Sequence, residues 1–207
     1  MSSAQSVPLT RIVPWSQSLL AEILTTGALA VDLTAGTGRD TLFLWQQVAP
    51  SGSVAAFDVQ KTALERTRLL LQAEGAPVFL HTEKDTGGFA EPGVHLIHDS
   101  HAHWLQYDIG SPRAVIANLG YLPGGDRSLI TRADSTLEAL GLALDRLHEQ
   151  GRLAVVGYPG HDGGQEEVKA VGSLLNDLDS EKWQVLHLQA ANCPQAPLLW
   201  VVEKKAT

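Results

Sequence analysis

Cysteine, methionine and aromatic residues are scarce in this chain. Its 207 residues include one cysteine, Cys193, and one methionine, and 6% of them are aromatic. A single cysteine excludes an internal disulfide and a zinc site built from cysteines. No apolar run approaches the roughly 20 residues that span a membrane. The first ten residues, which we expect to be loose, lack a charged region followed by an apolar stretch, so we predict a cytoplasmic protein without a membrane partner.

Positive charge is also in deficit. The chain has 15 Lys and Arg against 23 Asp and Glu, which gives a formal net charge of −8. This balance disfavours a protein that coats nucleic acid, although it leaves room for a local basic patch. The length, and the lack of a Pro/Gly/Ser-rich linker, predict a single domain over residues 1–207.

Short apolar runs alternate with stretches of helical periodicity along most of the chain. We expect strands at residues 29–33, 54–57, 94–97, 114–117, 153–156, 185–189 and 198–202. We expect helices at residues 14–26, 41–48, 62–74, 137–150 and 166–178. Residues 76–92 fit this pattern worst and are interpreted as an insertion or a long connection, with a candidate strand at 77–81.

The alternation predicts an α/β fold with a doubly wound, mostly parallel, seven-stranded Rossmann-like sheet, because parallel strands need a crossover connection. The last two strands have no helix between them, which predicts an antiparallel edge strand. A sheet of this kind binds ligands at the carboxyl ends of its strands, near the point where the strand order reverses.

A glycine-rich turn follows the first strand. Gly36 and Gly38 let the backbone turn sharply and approach a ligand closely. Asp32 closes the strand, where we expect it to face a cationic ligand, and Asp58 closes the second strand, where an acid accepts ribose hydroxyls. The nicotinamide fingerprint has Gly or Ala at its third glycine position, and here that position is occupied by Thr41. The turn therefore resembles the S-adenosylmethionine site of class I methyltransferases, with a nicotinamide site as the alternative.

The third strand leads into a segment with three histidines, residues 98–103. A metal site is one interpretation, but the sequence offers no second His or carboxylate cluster of matching spacing. We expect Asp99 or Ser100 to accept a hydrogen bond from an adenine amine, and solvated loop residues are the plain alternative.

The fourth strand ends in Asn118, followed by Leu119, Gly120 and Tyr121. This loop has the shape of the Asn-Pro-Pro-Tyr loop of amino-group methyltransferases. The Asn118 Oδ1 and the Leu119 carbonyl can accept two N–H bonds and leave the nitrogen lone pair aimed at a methyl group. Tyr121 can pack on a flat base. The alternative is simple turn chemistry.

The fifth strand runs into Tyr158 and His161. We expect His161 to face the same cleft, as a base or a substrate contact, with a surface histidine as the alternative. Two glutamates, Glu166 and Glu167, open the next helix and are interpreted as structural.

These segments together resemble one family, the small bacterial putative rRNA methylases. The characterised members of that family are tRNA 5-aminomethyl-2-thiouridine methyltransferases acting on the wobble uridine. The resemblance is carried by Asp-Leu-Thr-Ala-Gly-Thr-Gly-Arg-Asp-Thr (32–41), Phe-Asp-Val-Gln (57–60), His-Asp-Ser-His (98–101), Asn-Leu-Gly-Tyr-Leu-Pro-Gly-Gly-Asp (118–126) and Tyr-Pro-Gly-His (158–161). The chain departs from the family pattern at Gln17 and Pro159, where the family has histidine.

The resemblance implies a bound S-adenosylmethionine and a set of site residues. The expected donor contacts are Asp32, Thr34, Gly36, Gly38, Asp40, Thr41, Asp58, Gln60, Asp99, Ser100, His101 and Asn118. The expected substrate contacts are Leu119, Gly120, Tyr121, Asp126, Tyr158 and His161, and the expected catalytic residues are Asn118, Tyr121 and His161.

We therefore expect an N-methyltransferase for the 5-aminomethyl group of the wobble uridine, with the tRNA anticodon stem-loop as partner. A methyltransferase of another amine, or a non-catalytic nucleotide-binding or tRNA-binding module, stays open, as does a homodimer. Arg39, Arg127 and Arg132 are candidates for phosphate contacts because they lie near strand-end loops, and pairing with nearby acids or solvent is the alternative.

Overall fold

A computed structural model describes residues 11–85, 87–89, 91–120, 131–160 and 163–206. The helices are α1 (Ile12–Ala21), α2 (Arg39–Val48), α3 (Lys61–Ala73), α4 (Ala133–Arg146) and α5 (Gly164–Asn176), with a 3₁₀ helix at His101–Gln106. The strands are β1 (Leu29–Asp32), β2 (Ser53–Asp58), β3 (Val78–Thr82), β4 (Gly93–His98), β5 (Ala114–Asn118), β6 (Arg152–Gly157), β7 (Trp183–Leu188) and β8 (Leu198–Lys204).

The strands form one twisted sheet in the order β3-β4-β2-β1-β5-β6-β8-β7. All neighbouring pairs from β3 to β6 are parallel, and β8 is antiparallel to both β6 and β7. The predicted doubly wound α/β sheet and its antiparallel pairing are confirmed. The strand that runs against the others is β8, which lies second from the edge.

The sheet contains eight strands rather than the seven expected from the sequence. The additional strand is β3, which pairs in parallel with β4 at the edge of the sheet. Its residues are only half-buried or exposed, as is usual for an edge strand, so its apolar pattern is weak. The candidate strand at 77–81 is therefore confirmed as the edge strand β3.

Both faces of the sheet are covered by helices. Leu20 of α1 and Leu44 of α2 pack with Ala30 on one face, whereas Leu140 of α4 and Leu175 of α5 belong to the core on the other face. Central strands buried on both faces need nearly continuous apolar sequence, which explains why they were readily predicted. Among the described residues, no helix has the length and apolarity required to cross a bilayer.

The order of the strands reverses at β1, which lies between β2 and β5. The chain leaves β1 toward one half of the sheet and later returns to the other half. Its connecting loops separate there, and a crevice opens at the carboxyl ends of the strands. Polar residues at or just after the ends of five strands meet at this crevice, namely Thr34, Asp58, Asp99, Asn118 and Tyr158.

Candidate active site

A cleft of about 680 Å³ occupies the crevice. One wall is formed by the loop after β1 and the end of β2, which contribute Thr34, Gly36 and Asp58. The opposite wall includes Asn118 and Tyr158 from the ends of β5 and β6. The cleft is large enough for a small-molecule ligand of nucleoside size, because ligand pockets are roughly 300–1,000 Å³.

The glycine loop needs a backbone conformation at position 38 that favours glycine. Gly38 has a φ of +81° and precedes the first turn of α2. A Cβ at this position would lie 2.9 Å from the Cα of Thr67 in α3. Any other residue at Gly38 would be strained and would push α3 away from the loop.

The carboxylate of Asp58 holds this loop from the neighbouring strand. Its Oδ2 accepts from the backbone N–H of Gly36 at 2.9 Å, and its Oδ1 accepts from the backbone N–H of Gln60 at 2.8 Å. Burial raises the pKa of Asp58, and the two backbone bonds oppose that shift. Each oxygen keeps a free acceptor position toward the cleft, which suits the hydroxyls of a ribose.

Asp32 lies beneath the loop and not on the surface of the cleft. It is fully buried, and it accepts from the backbone N–H of Thr34 at 3.0 Å and from the Thr41 Oγ1 at 2.6 Å. Burial and the charge of Asp40 raise the pKa of Asp32 to about 7. Asp32, Gly38 and Thr41, which were predicted as donor contacts, are buried and do not line the cleft, and their contacts shape the loop from below.

The carboxylate of Asp99 organises the segment after β4. It accepts from the His103 Nδ1 at 2.8 Å, from the Tyr107 hydroxyl at 3.0 Å and from the backbone N–H of Ser100 at 2.7 Å. The Ser100 Oγ in turn accepts from the backbone N–H of Ala102 and caps the 3₁₀ helix. Asp99 and Ser100 line the cleft as expected, with much of their hydrogen-bonding capacity used within the segment.

The three histidines of this segment have separate partners. His98 lies against the Val59 carbonyl, His103 against Asp99, and His101 against the Leu33 carbonyl. In the described part of the chain, no group of three or more His, Cys, Asp or Glu residues could hold a metal ion.

His101 lines the cleft and is held in place by a hydrogen bond from its ring. Its Nδ1 donates to the Leu33 carbonyl at 2.9 Å, so its Nε2 carries the lone pair in the neutral ring. This Nε2 is buried and has no partner among the described residues. Burial lowers the pKa of His101, which keeps the ring neutral. The Nε2 is therefore enclosed by the protein and does not lie on the accessible surface of the cleft.

Asn118 ends β5 at the floor of the cleft and is held at three atoms. Its backbone N–H donates to the Thr34 Oγ1 at 2.8 Å, and its Nδ2 donates to the Asp40 Oδ2 at 3.1 Å. A hydrogen bond also joins its side chain to Tyr158. The other oxygen of Asp40 accepts from the Gln17 Nε2 at 2.7 Å, so α1, α2 and β5 are connected through one carboxylate.

The segment after β5 begins and ends on a paired backbone. Gly120 and Thr131 exchange two bonds: the Gly120 N–H donates to the Thr131 Oγ1 at 2.9 Å, and the Thr131 N–H donates to the Gly120 carbonyl at 3.0 Å. Leu119 is buried, and its backbone N–H donates to the Val156 carbonyl, so its side chain does not line the cleft.

The structure brings most of the predicted site residues to one place. The cleft is lined by the predicted residues Thr34, Gly36, Asp40, Asp58, Gln60, Asp99, Ser100, His101, Asn118, Gly120 and Tyr158. Tyr121, Asp126, Arg127 and His161 lie outside the described residues. The cleft also contains Arg11, Gln17, Thr131 and Ser135, which the sequence did not single out as site residues. Only the departure from the family pattern at Gln17 signalled one of them.

The comparisons with known proteins decide the family. A family model described as "Putative rRNA methylase" matches residues 54–204. The chain belongs to this family. The resemblance predicted from the sequence is confirmed, and with it the interpretation of the chain as a methyltransferase.

Relatives of this methyltransferase extend over nearly its whole length. The chain is similar to the chloroplastic tRNA (mnm(5)s(2)U34)-methyltransferase of Arabidopsis thaliana, with 35% identity over 201 residues, 93% of this chain and 67% of that protein. A putative rRNA methylase from Clostridium thermocellum is 32% identical, with a TM-score of 0.84, and the match covers 97% of this chain and 100% of the other. A putative methyltransferase from Streptococcus mutans, in complex with SAH, is 32% identical with a TM-score of 0.79, covering 96% and 99%.

Proposed function

We propose that this protein uses S-adenosylmethionine to methylate the nitrogen of the 5-aminomethyl group on the wobble uridine of tRNA. The proposal rests on Asn118, whose side-chain amide is held at the floor of the cleft that Asp58 also lines. The relative from Arabidopsis thaliana, which is named for this position of tRNA, supports the choice of substrate.

The residues of the cleft fit the methyl donor. Asp58 has acceptor positions for the two ribose hydroxyls, and Gly36, with a φ of +55°, lets the loop turn beside the cleft. When bound, S-adenosylmethionine supplies a methyl group on a positively charged sulfur. The SAH in the relative from Streptococcus mutans supports this assignment.

Asn118 acts on the amine. An aliphatic ammonium has a reference pKa near 10, so one proton must leave before the nitrogen can attack. The Asn118 Oδ1 and the Leu119 carbonyl then accept the two remaining N–H bonds and direct the lone pair at the methyl carbon. The new N–C bond forms as the C–S bond breaks, and the electron pair of the C–S bond stays on sulfur.

Basic residues near the cleft support an RNA substrate despite the net charge of −8. Arg11 and Arg39 are exposed and line the cleft, and Arg132 is exposed beside Thr131. Such a local cluster is sufficient to contact phosphates of an anticodon stem-loop. A methyltransferase of another amine, on rRNA, protein or a small molecule, would share the same chemistry with Asn118, and only an RNA substrate would need these arginines.

The test is methyl transfer to tRNA that carries 5-aminomethyl-uridine, followed by mass spectrometry of the nucleosides. We expect the wobble nucleoside to gain one methyl group. Asn118→Ala should reduce the single-turnover rate about a hundredfold, because it removes a positioned acceptor in a water-poor cleft, while donor binding and melting stay normal. The matched control is Asn176→Ala, on the exposed end of α5.

Asn118→Asp sharpens the test because it keeps the size and the acceptor. The added charge favours the protonated amine and opposes the loss of charge from sulfur, so this variant should bind donor and transfer slowly. A wild-type rate in Asn118→Ala would contradict the role of Asn118 and reopen the acceptor class. Donor binding without transfer to any modified tRNA would favour a non-catalytic module.

A further inference from the structure

Three side chains from separate elements form a chain of hydrogen bonds that ends at the proposed reaction centre. The Gln17 Nε2 in α1 donates to the Asp40 Oδ1 at 2.7 Å, and the Asn118 Nδ2 donates to the Asp40 Oδ2 at 3.1 Å. Asp40 lies in the first turn of α2 and is 7% exposed. The two bonds occupy one position on each of its oxygens.

We infer that Asp40, held by Gln17, is the positioning residue that fixes which way the Asn118 amide faces. The inference rests on the proposed function, in which the Asn118 Oδ1 accepts from the substrate amine. The oxygen and the NH₂ of an amide have nearly the same shape, and the Tyr158 hydroxyl can either donate or accept, so neither packing nor Tyr158 selects between the two orientations. An ionised carboxylate can only accept, and Asp40 therefore requires Nδ2 on its side and leaves Oδ1 on the opposite side.

The surroundings of Asp40 suit a carboxylate, because each of its oxygens faces the NH₂ group of a neighbouring amide. A first-turn position also favours an anion, because the N-terminus of a helix carries partial positive charge. Arg39, the adjacent residue, is exposed at the rim of the cleft.

Substitutions at Gln17 and Asp40 can keep or reverse the orientation of the Asn118 amide without removing this side chain. In Gln17→Lys, the lysine donates to Asp40, and Asn118 keeps its orientation. In Gln17→Glu with Asp40→Asn, the glutamate accepts from the new amide, whose oxygen then faces Asn118, so the orientation is again kept. In Gln17→Lys with Asp40→Asn, the lysine occupies that oxygen, and the NH₂ group faces Asn118 and turns its Oδ1 inward.

Single-turnover methyl transfer with saturating donor and tRNA separates these variants. We expect Gln17→Lys and the Gln17→Glu, Asp40→Asn pair to stay within about tenfold of wild type, and the Gln17→Lys, Asp40→Asn pair to fall about a hundredfold. The melting temperature should change little across the set, and calorimetry of each variant gives the donor concentration that saturates it. Asp134→Asn, in the exposed first turn of α4, is the matched control for loss of a first-turn acid.

The side-chain amide of Asn118 gives a second readout that does not depend on activity. In ¹⁵N-labelled protein, its Nδ2 protons should exchange slowly with water in wild type and in the two variants that keep the orientation. They should exchange fast in the reversing pair, because the NH₂ group then faces the open cleft. The resonances are identified by their loss in Asn118→Ala.

The outcomes separate the inference from the proposed function. If the reversing pair, folded and donor-bound, transfers at the rate of Gln17→Lys, or its Nδ2 protons remain protected, the positioning role of Asp40 is overturned. If the wild-type protein transfers no methyl group to aminomethyl-uridine tRNA, the proposed function fails, and the exchange measurement still decides whether Asp40 orients Asn118.

Discussion

The hydroxyl of Thr131 donates to the Glu167 Oε2 across 2.8 Å and ties the end of the loop after β5 to the first turn of α5. The Oε1 of the same carboxylate accepts from the Thr136 Oγ1 at 2.7 Å, and Glu167 is only 3% exposed. Because Thr131 also pairs with Gly120, one buried carboxylate holds both ends of residues 120–131 together.

Replacing Glu167 should therefore destabilise the fold. We expect Glu167→Ala to lower the free energy of unfolding by about 2–3 kcal/mol, because the buried Thr136 hydroxyl and the half-buried Thr131 hydroxyl lose their acceptor. Urea denaturation measures the change. The neighbouring Glu166 is exposed in the same turn, and Glu166→Ala should cost less than about 0.5 kcal/mol. If the two variants lose equal amounts of unfolding free energy, the hydrogen bonds from Thr131 and Thr136 do not account for the contribution of Glu167 to stability.

Asp58 links the glycine loop to the proposed ribose site. Asp58→Ala should weaken S-adenosylmethionine binding by about 1–3 kcal/mol, because ribose hydroxyls and loop N–H groups lose a charged acceptor. Titration calorimetry gives the dissociation constant directly, and Asp177→Ala, an exposed acid after α5, is the control. An unchanged dissociation constant in Asp58→Ala would remove this residue from the donor site.

The ionisation of Asp32 should appear in the pH dependence of stability. Burial raises the pKa of Asp32 from 3.8 to about 7, so the folded state binds this proton more tightly than the unfolded state does. Stability from this group is present below the lower pKa and is lost as the pH rises toward the upper one, by at most about 1.4 kcal/mol per pH unit. Asp32→Asn removes the titration, and its unfolding free energy should fall less between pH 4 and 7.

The measurement is a set of urea denaturation curves across that range. Burial lowers the pKa of His95 to about 4, which makes stability rise with pH in an overlapping range, and this contribution is the same in both proteins. The difference between wild type and Asp32→Asn therefore isolates Asp32. Parallel curves would show that Asp32 is ionised in the folded protein at all these pH values.

The salt dependence of tRNA binding tests the arginines at the cleft. If Arg39 contacts a phosphate, Arg39→Ala should flatten the slope of log K against log[salt] by roughly one unit. Arg146 is exposed at the other end of α4 from Ser135 of the cleft, and Arg146→Ala should leave the slope unchanged. Binding that does not depend on salt would favour a small-molecule amine as the substrate.

Much of the fold could be predicted because its central strands are buried on both faces. The run at 54–57 falls inside β2, and the acid that ends it, Asp58, lies on the cleft as expected. Strand β3 was less certain from the sequence because an edge strand needs little apolar surface. The position of an acid at a strand end also did not reveal that Asp32 points beneath the loop, since that depends on the hydroxyl of Thr41 one turn into α2.

The link from Gln17 to Asn118 could not be read from the sequence. Gln17 lies 23 positions before Asp40, and Asn118 lies 78 positions after it. The link exists only because α1 packs beside the carboxyl ends of the strands. Local spacing predicts which residues end strands, whereas the partner of each side chain depends on the packing of the whole domain. Hydrogen bonds between distant elements therefore have to come from the structure.

The position of β8 has a consequence for how the chain is made. Within the described sheet, β8 is the one neighbour of β7, and it follows β7 after nine intervening residues. Until β8 has been made and has paired with β6, Trp183 and Val185, which pack against the core, have no strand beside them. In this half of the sheet the order of assembly is therefore the reverse of the order of synthesis, because β7 is made first and joins the sheet last.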